Sequence, residues 1–407
     1  MTPPLVLYIH IPFCAARCAY CDFNTYAGLK AFYEPYTTAL MAEIRRAGEA
    51  RGRPPVRTLF IGGGTPTVLP VDLLARVLAA CREAFDVDPR AEITSEANPG
   101  TVDQTRFTAL REMGVNRLSL GVQSFDDDEL RWLGRIHTAA KAEEAFAAAR
   151  AAGFENVNLD LIFGLPGQDR ATWAATLARA VALGPEHLSL YSLTVEHGTP
   201  LARQVRRGLV AMPDDDLAAD LYLAACDYLS AHGYIQYEIS NWARAGMQDA
   251  KCRMQNGITD DDSAFIIHHS VFVCRHNLVY WRREPYLGFG AGAHSFEKER
   301  RWWNVRGVSA YIRRVEAGKS PEAGHETIDR RLAMGETMML GLRLVVEGVP
   351  EARFRARFGV GMEEVFGAEI GRLVERGLLE RLPERVRLTP RGRLLGNRVF
   401  AEFLPGE

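Results

Sequence analysis

Short apolar runs recur along the first half of the chain, with amphipathic stretches between them. LVLYIHI (5–11), RTLFIG (57–62), AEITSEA (91–97), RLSLGV (117–122), NVNLDLIFG (156–164) and HLSLYSLTV (187–195) are rich in β-branched and aromatic residues and predict strands. The stretches 33–50, 70–85 and 139–153 carry apolar residues at helical spacing, and the last stops at Gly153, a residue suited to ending a helix. Strand and helix alternate in this way up to about residue 195, which implies parallel strands joined by helical crossovers. The pattern fits an open doubly wound sheet or an incomplete barrel, and periodicity does not choose between them. Both architectures place ligands at the carboxyl ends of the strands. Unusual residues cluster there: CAARCAYC follows the first run, GGGTPT the second, SEANPG the third, GVQSF the fourth and DLIFGLPG the fifth.

Beyond residue 200 the pattern turns mostly helical, and 244–273 has no clean period and reads as a loop. From about 326 a helix, a short strand pair and a final helix predict an α-rich, winged-helix-like unit. The expected division is therefore 1–200, 201–325 with an inserted loop near 247–272, and 326–407. Winged helices often bind DNA, but 326–407 holds 14 Arg, no Lys and 13 acidic residues, a formal +1. With a net charge of −2 over the whole chain, this makes nucleic acid an unexpected partner. No apolar run is long enough to span a bilayer, and MTPPLVLYIHIPFC has neither a basic leader nor a small-residue cleavage site. The expectation is a cytoplasmic protein, without stable membrane insertion, whose thiols stay reduced.

Three of the seven cysteines, Cys14, Cys18 and Cys21, stand in eight residues with the spacing C-x3-C-x2-C. Structural zinc takes four ligands, and no fourth Cys or His follows nearby; a distant residue would have to supply it. A CxxC redox pair accounts for Cys18 and Cys21 and leaves Cys14 unexplained. Three thiolates on a 4Fe–4S cube leave one iron open, and an open metal position is where chemistry or an exchangeable ligand goes. Elsewhere, the glycines of GGGTPT let backbone approach a ligand closely, Gln123 offers both donor and acceptor, Arg135 suits a bidentate grip on a carboxylate, and Asp160 places a charge inside an apolar strand, which is costly unless paired.

The cysteine loop after the first strand resembles that of radical S-adenosylmethionine (SAM) proteins. YIHIPFCAARCAYCDFNTY (8–26) looks specifically like the oxygen-independent coproporphyrinogen oxidase group. The resemblance runs over most of the chain and implies a partial (β/α)6 radical SAM barrel, which chooses between the two architectures, with the α-rich winged-helix-like domain at the C-terminus. It also implies a 4Fe–4S cluster on Cys14, Cys18 and Cys21. SAM would be contacted by Tyr8, Tyr20, Gly63, Gly64, Thr65, Glu96, Gln123, Arg135 and Asp160, and an electron donor would serve the cluster.

Two features separate branches of that group. Oxidases carry a further cysteine as CxxxCxxCxC, where this chain has Phe23. The haem chaperone branch carries HNxxYW, matched here by HNLVYW (276–281). The resemblance therefore implies haem as a ligand, with His276 as candidate axial ligand, Cys274 and His294 as lesser candidates, and an acceptor protein to receive the haem. Catalytic residues stay unknown at this stage. The chain departs from the branch between YEISNWARAG (237–246) and Cys274, where about twenty extra residues include Cys252, His268 and His269. Cys-Arg-Met-Gln-Asn (252–256) echoes Cys-Arg-His-Asn (274–277), which suggests a surface insertion flanked by a short duplication.

Overall fold

The structure, a computed structural model, describes residues 4–211, 214–245 and 272–405. The expected insertion, with Cys252, His268 and His269, lies almost wholly outside the described residues. Contacts divide the chain into two units that interleave in sequence: one runs to Ala225 and takes in Pro285–Glu297 and Arg301–Glu326, the other holds Cys226–Glu284, Lys298–Arg300 and Thr327–Glu407.

In the first unit the six predicted strands form as β1 (Leu5–Ile11), β2 (Pro55–Gly63), β3 (Asp86–Ala97), β4 (Arg117–Gln123), β5 (Val157–Phe163) and β6 (His187–Ser192). Each pairs in parallel with the next. The crossovers are α1 (Tyr33–Glu49), α2 (Val71–Ala84), α3 (Gln104–Glu112), the pair α4 (Asp127–Trp132) and α5 (Ala139–Ala151), and α6 (Arg170–Ala182). Side-chain oxygens of Asp103, Asp126, Thr138 and Asp169 accept from backbone N–H groups in the first turns of α3 to α6, which fixes where those helices begin. Gly153 takes φ +83° just past α5, as its place after the helix predicts. Six parallel strands with helical crossovers form, as the implied partial (β/α)6 barrel requires.

A seventh strand, β7 (Leu287–Phe289), adds in parallel to the outer edge of β1. It lies far downstream in sequence, and its short, glycine-rich LGFGAG context carries no strand period. Its end is held by the carboxylate of Glu43 on α1, which accepts from the Gly290 N–H (2.9 Å) and from Asn304 Nδ2 (2.7 Å).

Alternation along the strands sorts the side chains. On β4, β5 and β6 the leucines at 118, 120, 159, 161, 188 and 190 are buried. The residues between them, Ser119, Asn158, Asp160, His187 and Ser189, share the opposite face and bond to one another: Asn158 Nδ2 donates to Ser119 Oγ (2.7 Å) and Asp160 Oδ1 (2.8 Å), while Asn158 Oδ1 lies 2.6 Å from His187 Nδ1. Burial, then the field of Arg117, holds His187 well below its usual pKa and therefore neutral.

The second unit contains an antiparallel hairpin (Tyr234–Glu238 with Asn241–Arg244), the short helix Arg275–Trp281, and the C-terminal domain. That domain packs helices Arg330–Gly341, Glu351–Phe358 and Met362–Glu375 with a three-stranded sheet whose wing is Leu379–Leu382 and Arg385–Leu388. Phe354, Phe358, Phe366 and Phe403 meet ring to ring in its core. The winged-helix-like expectation holds here. Among the described residues no helix is long and apolar enough to cross a membrane.

Candidate functional site

At the carboxyl ends of the strands of the first unit lies a cavity of about 530 Å³. Its wall gathers Cys14, Cys18, Cys21, Tyr20, Gly63, Gly64, Thr65, Glu96, Gln123, Arg135 and Asp160. Eleven positions spread over 147 residues of sequence therefore meet in one place, because parallel strands deliver every strand end to the same rim.

The cysteine loop leaves β1 and is fastened from several sides. Tyr26 N–H donates to the Pro12 carbonyl (2.7 Å), and Asn24 Nδ2 donates to the carbonyls of Ala291 (2.9 Å) and Arg306 (3.0 Å). His10 stands beneath the loop, with Nε2 3.0 Å from the Asn24 carbonyl and Nδ1 3.1 Å from the Tyr8 hydroxyl. Burial lowers the pKa of His10 and disfavours its charge. Tyr8 thus lies below the loop, its ring stacked on Phe60, and is not among the residues of the cavity wall.

Each thiol faces a hydroxyl or cationic group. Thr65 Oγ1 donates to Cys14 Sγ (3.8 Å), Arg135 Nη1 donates to Cys18 Sγ (3.5 Å), and Cys21 Sγ lies 4.0 Å from Thr25 Oγ1. Burial raises the Cys14 and Cys21 thiols, and the Thr65 and Thr25 hydroxyls act in the opposite direction. Among the described residues no three His, Cys, Asp or Glu side chains converge as they would around one metal ion. A 4Fe–4S cube holds its thiolates on separate irons, so three unbridged thiols around one cavity fit that donor set.

The glycines serve by what they lack. A Cβ on Gly64 would come 2.5 Å from the Phe13 carbonyl oxygen and 3.0 Å from Cys14 Sγ; one on Gly63, at φ +110°, would come 2.5 Å from the His10 ring. Backbone therefore runs directly against the cysteine loop. The Gly63 N–H donates to Glu96 Oε2 (2.9 Å). Burial and then the nearby Asp160 raise the Glu96 carboxyl to about 8. Burial also raises Asp160, opposed by the hydrogen bonds from Ser119 (3.0 Å) and Asn158 and by Arg117. Two carboxyls, on β3 and β5 to either side of β4, thus share one polar floor, which suits an ammonium or hydroxyl-rich ligand.

Gln123 takes φ +73°, a left-handed conformation unusual for a side-chain-bearing residue and often found where a site holds its groups under constraint. Arg135 Nη2 donates to the Gly121 carbonyl (2.7 Å), and its buried Nε has no partner among the described residues. Burial opposes the Arg135 charge, while Tyr20 and Cys18 favour it and carry its pKa upward. Phe23 also lines the cavity and is 63% exposed. Sequence reasoning did not single out His10, Asn24 and Thr25, which fasten the loop, or the polar strand face of Ser119, Asn158, His187 and Ser189; the signal for the strand face was the polar-apolar alternation in RLSLGVQ, NLDL and HLSL.

His276 belongs to the second unit. It is buried on helix Arg275–Trp281, with Nε2 3.0 Å from the Tyr280 hydroxyl and the two rings edge to face. Trp281 packs under the Arg343 guanidinium, 4.4 Å from its ring centre, and its buried indole N–H has no hydrogen-bond partner among the described residues. An imidazole and an unpaired indole donor on one short helix fit a ligand that offers both a metal and carboxylates. Cys274 is buried at the helix start, its N–H donating to the Tyr237 hydroxyl (3.3 Å). His294, in the first unit, stacks on Trp303.

Residues 8–180 match the Radical SAM superfamily and 328–395 the HemN C-terminal domain. "Heme chaperone HemW" of Bacillus subtilis is 37% identical over 98% of each chain, and the protein of that name in Escherichia coli is 35% identical over 99% of this chain and 98% of its own. The solved structure of the E. coli coproporphyrinogen III oxidase HemN, a radical SAM enzyme, superposes with a TM-score of 0.81 over 99% of this chain and 90% of that one at 23% identity, which speaks to the fold. Full-length likeness to the HemW proteins, on a barrel of the radical SAM type, places the chain in the HemW haem chaperone family of the radical SAM superfamily.

Proposed function

We propose that this protein is a cytosolic haem chaperone that binds haem at His276, holds a 4Fe–4S cluster and SAM in the strand-end cavity, and passes haem to an acceptor protein. The observation that carries this reading is the near-complete alignment with HemW proteins, 37% identical over 98% of each chain. Phe23, where an oxidase of the group carries a further cysteine, supports the same branch.

In this reading Cys14, Cys18 and Cys21 ligate the cluster, while Thr65, Arg135 and Thr25 stabilise their sulfurs. Glu96 and the Gly63–Thr65 backbone receive the amino end of SAM, and Gln123 and Asp160 its hydroxyl-bearing part. Tyr20 and Arg135 close the side next to Cys18. When bound, the cluster supplies single electrons delivered by a separate donor protein. His10 and Asn24 hold the loop, and the buried polar strand face keeps the cavity floor from collapsing. On the second unit, Trp281 offers its indole N–H to a haem carboxylate.

The test is anaerobic reconstitution followed by haem titration. Haem retention with a shifted Soret band, weakened more than about tenfold in His276→Ala, is the expected result. Conversion of coproporphyrinogen III to protoporphyrinogen by the reduced, SAM-loaded protein would overturn it in favour of the oxidase.

A further inference from the structure

The helix that carries His276 is only seven residues long, less than two full turns. A helix of that length has little stability of its own in water and takes its geometry from what holds it. The holding is done at its C-terminal end by two consecutive arginines. Arg282 sits at the last turn and Arg283 follows at φ +52°, a left-handed turn in a residue without glycine's freedom. The turn sends the two guanidinium groups to different partners. Arg282 grips Glu347 through Nη2 (2.7 Å) and Nε (3.3 Å), and Arg353 approaches the same carboxylate. Arg283 donates through Nε to Glu336 (2.8 Å) and through Nη1 to Glu299 (3.1 Å).

A third arginine closes the assembly from outside. Arg357, on helix Glu351–Phe358, donates to the carbonyl oxygens of Arg283 (2.7 Å) and Arg282 (3.4 Å), where a helix end leaves carbonyls unsatisfied. Arg343 covers the Trp281 ring. Glu336, Glu347, Arg343, Arg353 and Arg357 all fall within 328–395, the segment that matches the HemN C-terminal domain. Arg283, Glu336 and Glu347 are buried. Burial works against the Glu347 charge, but Arg282 and Arg353 outweigh it and hold its carboxyl below the usual range. Charged pairs buried in this way fix one arrangement, because each partner is costly to leave alone.

We propose that Arg282 and Arg283 are positioning residues for His276, and that the C-terminal domain acts as the rigid mount of the haem-binding helix. The inference rests on the reading of His276 as the haem ligand. It assigns a task to the winged-helix-like domain: its acidic residues receive the helix, and its arginines cap it. Bidentate guanidinium geometry is needed at both positions, so lysine is a poor substitute.

The experiment compares Glu347→Gln, Arg283→Lys and Arg357→Ala with wild type and His276→Ala in the full-length protein. Haem affinity, Soret position and axial-ligand spectrum are read beside melting temperature and iron–sulfur content. Glu347→Gln is expected to weaken haem binding at least about tenfold and to alter the axial-ligand spectrum, with cluster content unchanged. Arg283→Lys should lie between it and wild type. Arg357→Ala removes only hydrogen bonds to two carbonyls, and serves if Glu347→Gln does not fold; a spectral change with a small loss of affinity is expected. A lowered melting temperature with unchanged haem affinity and spectrum in these variants, while His276→Ala loses haem, overturns the inference and leaves the proposed function standing. Unaltered haem binding in His276→Ala overturns the ligand assignment and the inference with it.

Discussion

Around the cysteine loop, backbone comes close because side chains are missing: Gly63 and Gly64 run against His10, Phe13 and Cys14 where a methyl group has no room. Around His276 the reverse holds, and long side chains reach in to grip a short helix through Glu336, Glu347 and Arg357. The first arrangement is local to strand ends and presents a preformed cavity. The second is assembled from charged side chains and buries the candidate ligand. A cofactor that stays resident suits the former; a cargo that must arrive and leave suits a site whose ligand is held in place but already engaged by a neighbour, as His276 is by Tyr280.

That contrast breaks most visibly with Cys18→Ser. Loss of one thiolate should reduce cluster iron more than about tenfold, measured by iron and sulfide content and by EPR, while haem binding in the second unit stays within about twofold. Parallel loss of haem would show the two sites to be interdependent.

A smaller effect is expected from Gly64→Ala. Its Cβ would meet the Phe13 carbonyl oxygen at 2.5 Å, and displacing backbone in a packed site costs about 1–3 kcal/mol. SAM affinity by calorimetry should fall by about five- to 150-fold. An equivalent loss at His276 is not expected, since nothing there depends on a missing Cβ.

The mildest effect is one of pH. Glu96 titrates at about 8 in the ligand-free protein because of burial and Asp160, so the folded state holds a proton that the unfolded state has released. Its contribution to stability is complete below the ordinary carboxyl value near 4.5 and is lost as pH rises through about 8. Chemical denaturation across that window should show declining stability, and Glu96→Gln should flatten the slope. An ammonium ligand favours the ionised carboxylate, so SAM binding below pH 8 should release a proton, seen as a dependence of binding heat on the buffer. A binding heat that does not change with the buffer would mean that Glu96 does not meet the charged end of the ligand.

The six core strands were legible because each is a short β-rich run between amphipathic helices, and the helix stop at Gly153 because φ +83° suits glycine. β7 was not: three residues in a glycine-rich stretch have no period, and they become a strand only because the edge of β1 is open to them. The cavity residues were nearly all readable from strand-end motifs. Arg135 was read as a group that could grip a ligand carboxylate, and nothing in the sequence signals that its guanidinium also lies on Cys18 Sγ and the Gly121 carbonyl. Tyr8, which the resemblance implied as a SAM contact, shares a strand face with His10, and its hydroxyl lies 3.1 Å from His10 Nδ1.

Local pattern determined the parallel α/β core, the three thiols, the glycine run and the HNLVYW stretch, since strand period, turn chemistry and ligand spacing are written in neighbouring residues. Tertiary structure decided what those pieces touch. It directed Thr65, Arg135 and Thr25 toward three sulfurs, joined Ser119, Asn158, Asp160 and His187 across three strands, and brought Glu336 and Glu347 to consecutive arginines. Side-chain hydrogen bonds and ion pairs act over a few ångströms, and only the folded chain brings residues tens to hundreds of positions apart within that range.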